Sequence, residues 1–182
     1  DFTITVNPTG QVDDPVDQIV CNGDTTTVGF TTENTGGTTT YDWSSDLDIG
    51  AGLSGIGDMD FTAVNTGIEP IIATITVTPT FENGGVECVG PSQDFTITVN
   101  PSAQVDDPVD VVYCNGDTTD EVVFTTQNTG GTTTYTWTNT DTSIGLAANG
   151  TNFTSFTALN SGNDPITATI TVTPTFENGG VE

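Results

Sequence analysis

Apolar residues recur at every second position in several short stretches of this chain. Ala73, Ile75 and Val77 alternate with Thr74, Thr76 and Thr78, and the same spacing returns at 168–173, in Phe2/Ile4/Val6 and in Phe95/Ile97/Val99. A period of two predicts strands with one buried face and one wet face. Threonine suits the wet face because its branched Cβ favours extended backbone. Further strands are expected near Val28–Thr32, Thr38–Trp43 and Met59–Asn65, with counterparts later in the chain. Asn34-Thr35-Gly36-Gly37, matched at 128–131, reads as a hairpin loop. Glu82-Asn83-Gly84-Gly85, matched at 177–180, offers the Asn-Gly pair that suits a type I′ turn. No stretch carries helical periodicity of useful length. About seven short strands in each stretch of roughly 94 residues predict an all-β fold of tandem Ig-like antiparallel β-sandwich modules.

The strands belong to a repeat. DFTITVNP at 1–8 returns at 94–101, QVDDPVD at 11–17 returns at 104–110, and Cys21 returns as Cys114, all at an offset of 93. Phe30 and Trp43 match Phe124 and Trp137 at 94, while Phe61 and Ile75 match Phe156 and Ile170 at 95. Two single-residue insertions account for the drift, and insertions fall in loops. Residues 1–8 are therefore expected to be the closing strand of a preceding module, 9–101 a first module, and 102–182 a second module lacking its last strand. The six residues CVGPSQ at 88–93 would restore the period after Glu182, so the parent protein is expected to carry more copies in one array.

Composition narrows the chemistry. The 182 residues include 25 Asp and Glu and no Lys, Arg or His, for a formal charge of −25. Imidazole acid–base catalysis and lysine Schiff-base chemistry are thereby removed. Nucleic acid is excluded as a partner because binding it depends on basic groups that displace counterions. Attraction to an anionic membrane surface fails for the same reason. No segment approaches the roughly 20 apolar residues of a membrane span. Like charge costs some stability but keeps neighbouring chains apart in solution. Two Trp, three Tyr and nine Phe are enough to build cores, which argues against disorder. Carboxylates alone do not make a glycosidase, since one needs an apolar pocket to raise its pKa. The expectation is that the protein is not an enzyme and requires no cofactor.

Cys21 and Cys88 fall 67 residues apart within one module. Two cysteines in a secreted β-domain suggest a disulfide, worth about 4 kcal/mol on the chain-entropy view. Cys114, the copy of Cys21, would then pair with a residue beyond Glu182.

VNPTGQVDDPVDQIVCNGDTT, FTTENTGGTTTYDW and ATITVTPTFENGGVECVGPSQDFTITVNP together resemble the PKD-like/Ig-like tandem repeats of giant Bacteroidota cell-surface adhesins, with the SprB-type gliding-motility adhesins as the nearest example. The resemblance covers essentially the whole chain. It implies a long extracellular filament at the cell surface, exported by type IX secretion, that contacts the substratum and in gliding cells is propelled along the surface. It also implies that neighbouring modules of the same filament are the immediate partners, with substratum or surface polysaccharide engaged by other regions.

Several residues are candidates for sites. Asp13, Asp14 and Asp17, with Asp106, Asp107 and Asp110, cluster around a proline where modules should meet and are candidate Ca²⁺ ligands; a solvated Asp-Pro turn is the plainer reading. Asp24-Thr25-Thr26 and Asp117-Thr118-Thr119 resemble the Bacteroidota O-glycosylation sequon, which would place sugar on Thr25 and Thr118. Trp43 and Trp137, each two residues after a Tyr, read as core rather than as a sugar platform. The leading expectation is a structural stalk repeat of an adhesive filament. The alternatives are a glycan-binding module using the variable loops 44–58 and 138–152, and a self-assembling fibre or sheath subunit that donates closing strands between chains.

Overall fold

The computed structural model describes all residues from Asp1 to Glu182. They pack as two compact units, Asp1–Ser102 and Ala103–Gly180.

In the first unit eight strands form in chain order: β1 (Gln18–Cys21), β2 (Thr25–Val28), β3 (Thr38–Ser45), β4 (Ser54–Ile56), β5 (Met59–Thr62), β6 (Ile71–Asn83), β7 (Val86–Val89) and β8 (Gln93–Asn100). The larger sheet runs β1-β8-β6-β3-β4 with β7 also on β6, and β2 and β5 form the smaller sheet. Every pairing is antiparallel except β1 with β8, which is parallel. The alternation seen in the sequence becomes the core. Ala73, Ile75 and Val77 of β6, Phe95, Ile97 and Val99 of β8 and Tyr41 and Trp43 of β3 meet Val28, Met59 and Phe61 from the other sheet, with Phe30 in the same cluster. This is the β-sandwich that the period-two pattern predicts.

β6, β7 and β8 are one long hairpin. β7 pairs with Thr80–Asn83 and β8 with Ile71–Val77, leaving Gly90-Pro91-Ser92 opposite Thr78-Pro79. Three residues against two make a bulge, and Pro79, which has no N–H to give, sits where the ladder breaks. The ladder resumes with Gly90 N donating to Pro79 O at 2.8 Å. The hairpin turn itself has Gly84 and Gly85 at φ 64° and 78°, so Gly-Gly rather than Asn-Gly supplies the two left-handed residues. Glu82 Oε1 accepts from Gly85 N at 2.7 Å and closes it.

Two expectations are corrected here. Asn34–Gly37 is not a hairpin loop, because β2 pairs with β5 in one sheet and β3 with β6 in the other, so the segment crosses between sheets. The strand expected at Val28–Thr32 lies earlier, at Thr25–Val28. Beyond it, Phe30 N donates to the Asp58 carboxylate at 2.9 Å instead of to a ladder. Residues 1–8, expected as the closing strand of a preceding module, pair with no strand of this chain, since alternation makes a strand only where a neighbouring strand takes the backbone hydrogen bonds.

The second unit contains β9 (Thr132–Asn139), β10 (Asn149–Gly150) and β11 (Ile170–Glu177), in the order β10-β9-β11. β9 and β11 repeat the register of β3 and β6, Trp137 opposite Val172 as Trp43 is opposite Val77. Two of the differences share one pattern. Ile71–Thr74 pair only with β8, and their copies at 166–169 are not in a strand; β1 pairs only with β8, and its copy at 111–114 is not in a strand either. The small sheet is reduced to isolated bridges, Thr118 with Thr157 and Val122 with Phe153.

Candidate strand-pairing interface

The second unit has an open groove of roughly 730 Å³ lined by, among others, Val112, Phe124, Leu146, Phe156, Ile170 and Val172. Phe124, Ile170 and Val172 are the copies of Phe30, Ile75 and Val77, which in the first unit pack against Phe95, Ile97 and Val99 of β8. In the first unit the equivalent surface is covered by β8. Phe95, Ile97 and Val99 are 3%, 0% and 0% exposed, whereas Phe2, Ile4 and Val6, in an identical DFTITVN sequence, are 86%, 78% and 87% exposed. One sequence has two fates according to whether a groove is available to it.

The two ends of the first unit are built from Asn and Gly. At one end Asn7 Nδ2 donates to the Asn83 carbonyl at 2.9 Å and to the Val86 carbonyl at 3.5 Å, and Asn83 Nδ2 donates back to Asn7 Oδ1 at 2.9 Å. Gly10 N donates to Cys88 O at 3.0 Å. A Cβ on Gly10 would overlap the Pro79 carbonyl, and one on Gly90 would overlap Gly10 itself, so both positions need glycine for close approach. At the other end Asn100, fully buried, lies in register with Cys21. Asn22 N donates to Asn100 O at 2.9 Å, and Asn22 Nδ2 donates to Ser102 Oγ at 2.9 Å. These Asn residues were not singled out from the sequence; the recurrence of Asn-Pro at 7–8 and 100–101 was the available signal.

The Cys21–Cys88 disulfide is overturned. All three cysteines are free thiols. Cys88 lies opposite Phe81, while Cys21 lies beside Asn100, one step past the Val99–Ile71 pair. Ten residues of β6 separate those levels, about 33 Å at the rise of a strand. A disulfide needs Cα atoms within about 7 Å. The pairing of Cys114 with the copy of Cys88 in its own module falls by the same geometry, since Cys114 repeats Cys21. Burial, followed by the negative charge of Asp24, raises the Cys21 thiol pKa above its ordinary value.

The acidic candidates do not converge. No group of three or more Asp, Glu, Cys or His is placed to hold a metal ion. Asp13 Oδ2 accepts from Thr31 Oγ1 at 2.5 Å, and Asp17 Oδ1 accepts from Thr96 N at 2.6 Å. Asp106 Oδ2 accepts from Thr125 Oγ1 at 2.7 Å. Asp14, Asp107 and Asp110 are exposed. These segments lie alongside the sandwich: Asp13 N donates to Thr31 O and Asp106 N to Thr125 O, each at 2.8 Å. Asp24 and Asp117 each cap a turn, accepting from Cys21 N and Cys114 N at 2.9 Å. Thr25 and Thr118 stand next to those turns with exposed side chains.

Trp43 and Trp137 are core residues, 7% and 4% exposed. The loop after Trp43 drops Ile49 into the same core. The loop after Trp137 instead forms a 3-10 turn at Thr142–Ile144, capped by Asp141, whose carboxylate accepts from Ser143 N at 2.9 Å. No helix is long and apolar enough to cross a membrane. No protein-family model, no curated protein and no solved structure matches this chain.

Proposed function

We propose that this chain is a structural stalk repeat of an extracellular bacterial adhesive filament, serving surface attachment or gliding at the cell surface. The observation that carries the reading is the path of the chain through the first unit. It comes in beside Asn83 and Cys88 and leaves beside Cys21 and Asn22, at opposite ends of β6. The twelve steps of β6 from Ile71 to Asn83 span about 40 Å. A module crossed from end to end adds its own length to an array, which is what a spacer requires.

The parallel β1–β8 pair supports the same reading. These strands lie in register from Gln18–Ile97 to Cys21–Asn100, so tension between the two ends of the module pulls them along their length. Their hydrogen bonds are then loaded together in shear rather than opened one at a time. Single-molecule pulling of the 182-residue chain tests this. The first unit is expected to open at a clearly higher force than the second, and equal forces would overturn the mechanical reading. The complete reading frame tests the rest, with many tandem copies and an export domain expected; an isolated pair of modules would sink it.

A second reading, a fibre or sheath subunit that assembles by strand donation, is favoured by the open groove and the exposed identical segment at residues 1–7. An incoming strand would gain a backbone ladder and bury three apolar side chains, each worth about 1.5–3 kcal/mol. Sedimentation at rising concentration tests it: association that Ile4→Asp abolishes supports donation, and a monomer at all concentrations excludes it.

A further inference from the structure

The first unit carries a thiol at either end, Cys88 and Cys21, and the two are too far apart to meet. The repeat shows what each could meet instead. Asn7, Pro8, Thr9 and Gly10 are the copies of Asn100, Pro101, Ser102 and Ala103. Asn100 lies in register with Cys21 on the parallel strand, and Asn22 binds both the Asn100 carbonyl and the Ser102 hydroxyl. Asn7 occupies the far end of the same unit, where its side chain holds the carbonyls of Asn83 and Val86. Three residues on, Gly10 N holds the carbonyl of Cys88 itself. A module preceding residue 1 would place its copy of Cys21 beside Asn7, as Cys21 stands beside Asn100. That thiol arrives at the corner where Cys88 sits, two residues along β7 from Val86.

We infer that Cys88 of each module forms a disulfide with the copy of Cys21 in the module before it, so that neighbouring modules are stapled across their junction. The inference rests on the tandem-array reading above. A thiolate of one cysteine attacks a small-molecule or protein disulfide, releasing one thiol and leaving a mixed disulfide. The second cysteine's thiolate attacks that mixed disulfide and expels the other thiol. Two cysteine thiols lose two electrons and two protons, and the donor disulfide gains them. The bond joins residues on separate folded units and leaves the interior of each module untouched.

The test places a copy of residues 9–93 ahead of Asp1, which completes a preceding module. In one variant only the copy's Cys21 and the chain's Cys88 remain, with the copy's Cys88 and the chain's Cys21 and Cys114 changed to Ser. In the other, only Cys21 and Cys88 of the same module remain. Both are exposed to oxidised glutathione and read by intact mass and thiol titration. The first is expected to lose both thiols to an intramolecular disulfide and the second to form none. Failure of the first to close, or closure of the second, overturns the inference. The unaltered chain guards against a folding defect in the variants: after the same treatment and removal of mixed glutathione adducts, all three thiols should remain. An internal disulfide there, leaving one thiol, also overturns it. The tandem-array reading is judged separately, from the reading frame, and stands or falls without this result.

Discussion

Gly55 lies opposite Trp43 across the β3–β4 ladder, and a Cβ at Gly55 would overlap Cζ2 and Cε2 of the indole. Gly150 stands in the same relation to Trp137, opposite it in the β9–β10 pair. The tryptophan is pinned by the absence of a side chain on its neighbour. Gly55→Ala forces the indole off its seat in the core, and such overpacking costs about 1–3 kcal/mol. Chemical denaturation followed by Trp fluorescence should show the lowered midpoint.

Ile97 and Ile4 occupy identical positions in the two copies of DFTITVN. Ile97→Ala empties a fully buried site and should destabilise the first unit by about 2–5 kcal/mol. Ile4→Ala removes an exposed side chain and should leave the unfolding midpoint of dilute monomer unchanged. Equal effects would contradict the two different fates of this sequence.

Cys21 and Tyr41 both have pKa values raised chiefly by burial, with Asp24 adding to the shift at Cys21 and Asp13 and Asp58 adding at Tyr41, where a hydrogen bond with Thr32 opposes. A pKa higher in the folded than the unfolded state means the folded chain holds the proton more tightly. The associated stability is present below the unfolded pKa and is lost as pH rises through the folded one. Thermal unfolding under reducing conditions should therefore move to lower temperature through the alkaline range. Cys21→Ser and Tyr41→Phe together should flatten that dependence.

With 25 carboxylates and no basic side chain, the chain repels itself, and added salt should raise its unfolding temperature by screening. Asp13 and Asp17 already bind Thr31 and Thr96 rather than converging on a common point. Calcium and sodium chloride at matched ionic strength should accordingly give similar shifts. An excess from calcium that EDTA reverses would reinstate the acidic segments around Asp13 and Asp106 as a cation site.

Much of the fold was legible in the sequence because the relevant forces are local. Alternation of Thr with Ala, Ile and Val states which face of β6 and β8 is buried, and the period of the repeat states which residues are copies. Glu82-Asn83-Gly84-Gly85 announced a turn, but its left-handed pair is Gly84-Gly85 rather than the expected Asn-Gly, because only glycine takes left-handed angles without strain. Asn34–Gly37 misled for the opposite reason: a turn-prone tetrapeptide does not say whether the next strand joins the same sheet or the facing one.

Pattern and repeat thus determined that the chain is all-β, modular and threonine-faced. Only the tertiary structure decided which backbone each strand would find. The segment DFTITVN is buried at 94–100 and bare at 1–7, because hydrogen-bonding partners and apolar neighbours are supplied by residues distant in sequence. The same is true of the thiols. A spacing of 67 residues is compatible with contact or with separation, and the length of β6 places Cys21 and Cys88 at opposite ends of the sandwich.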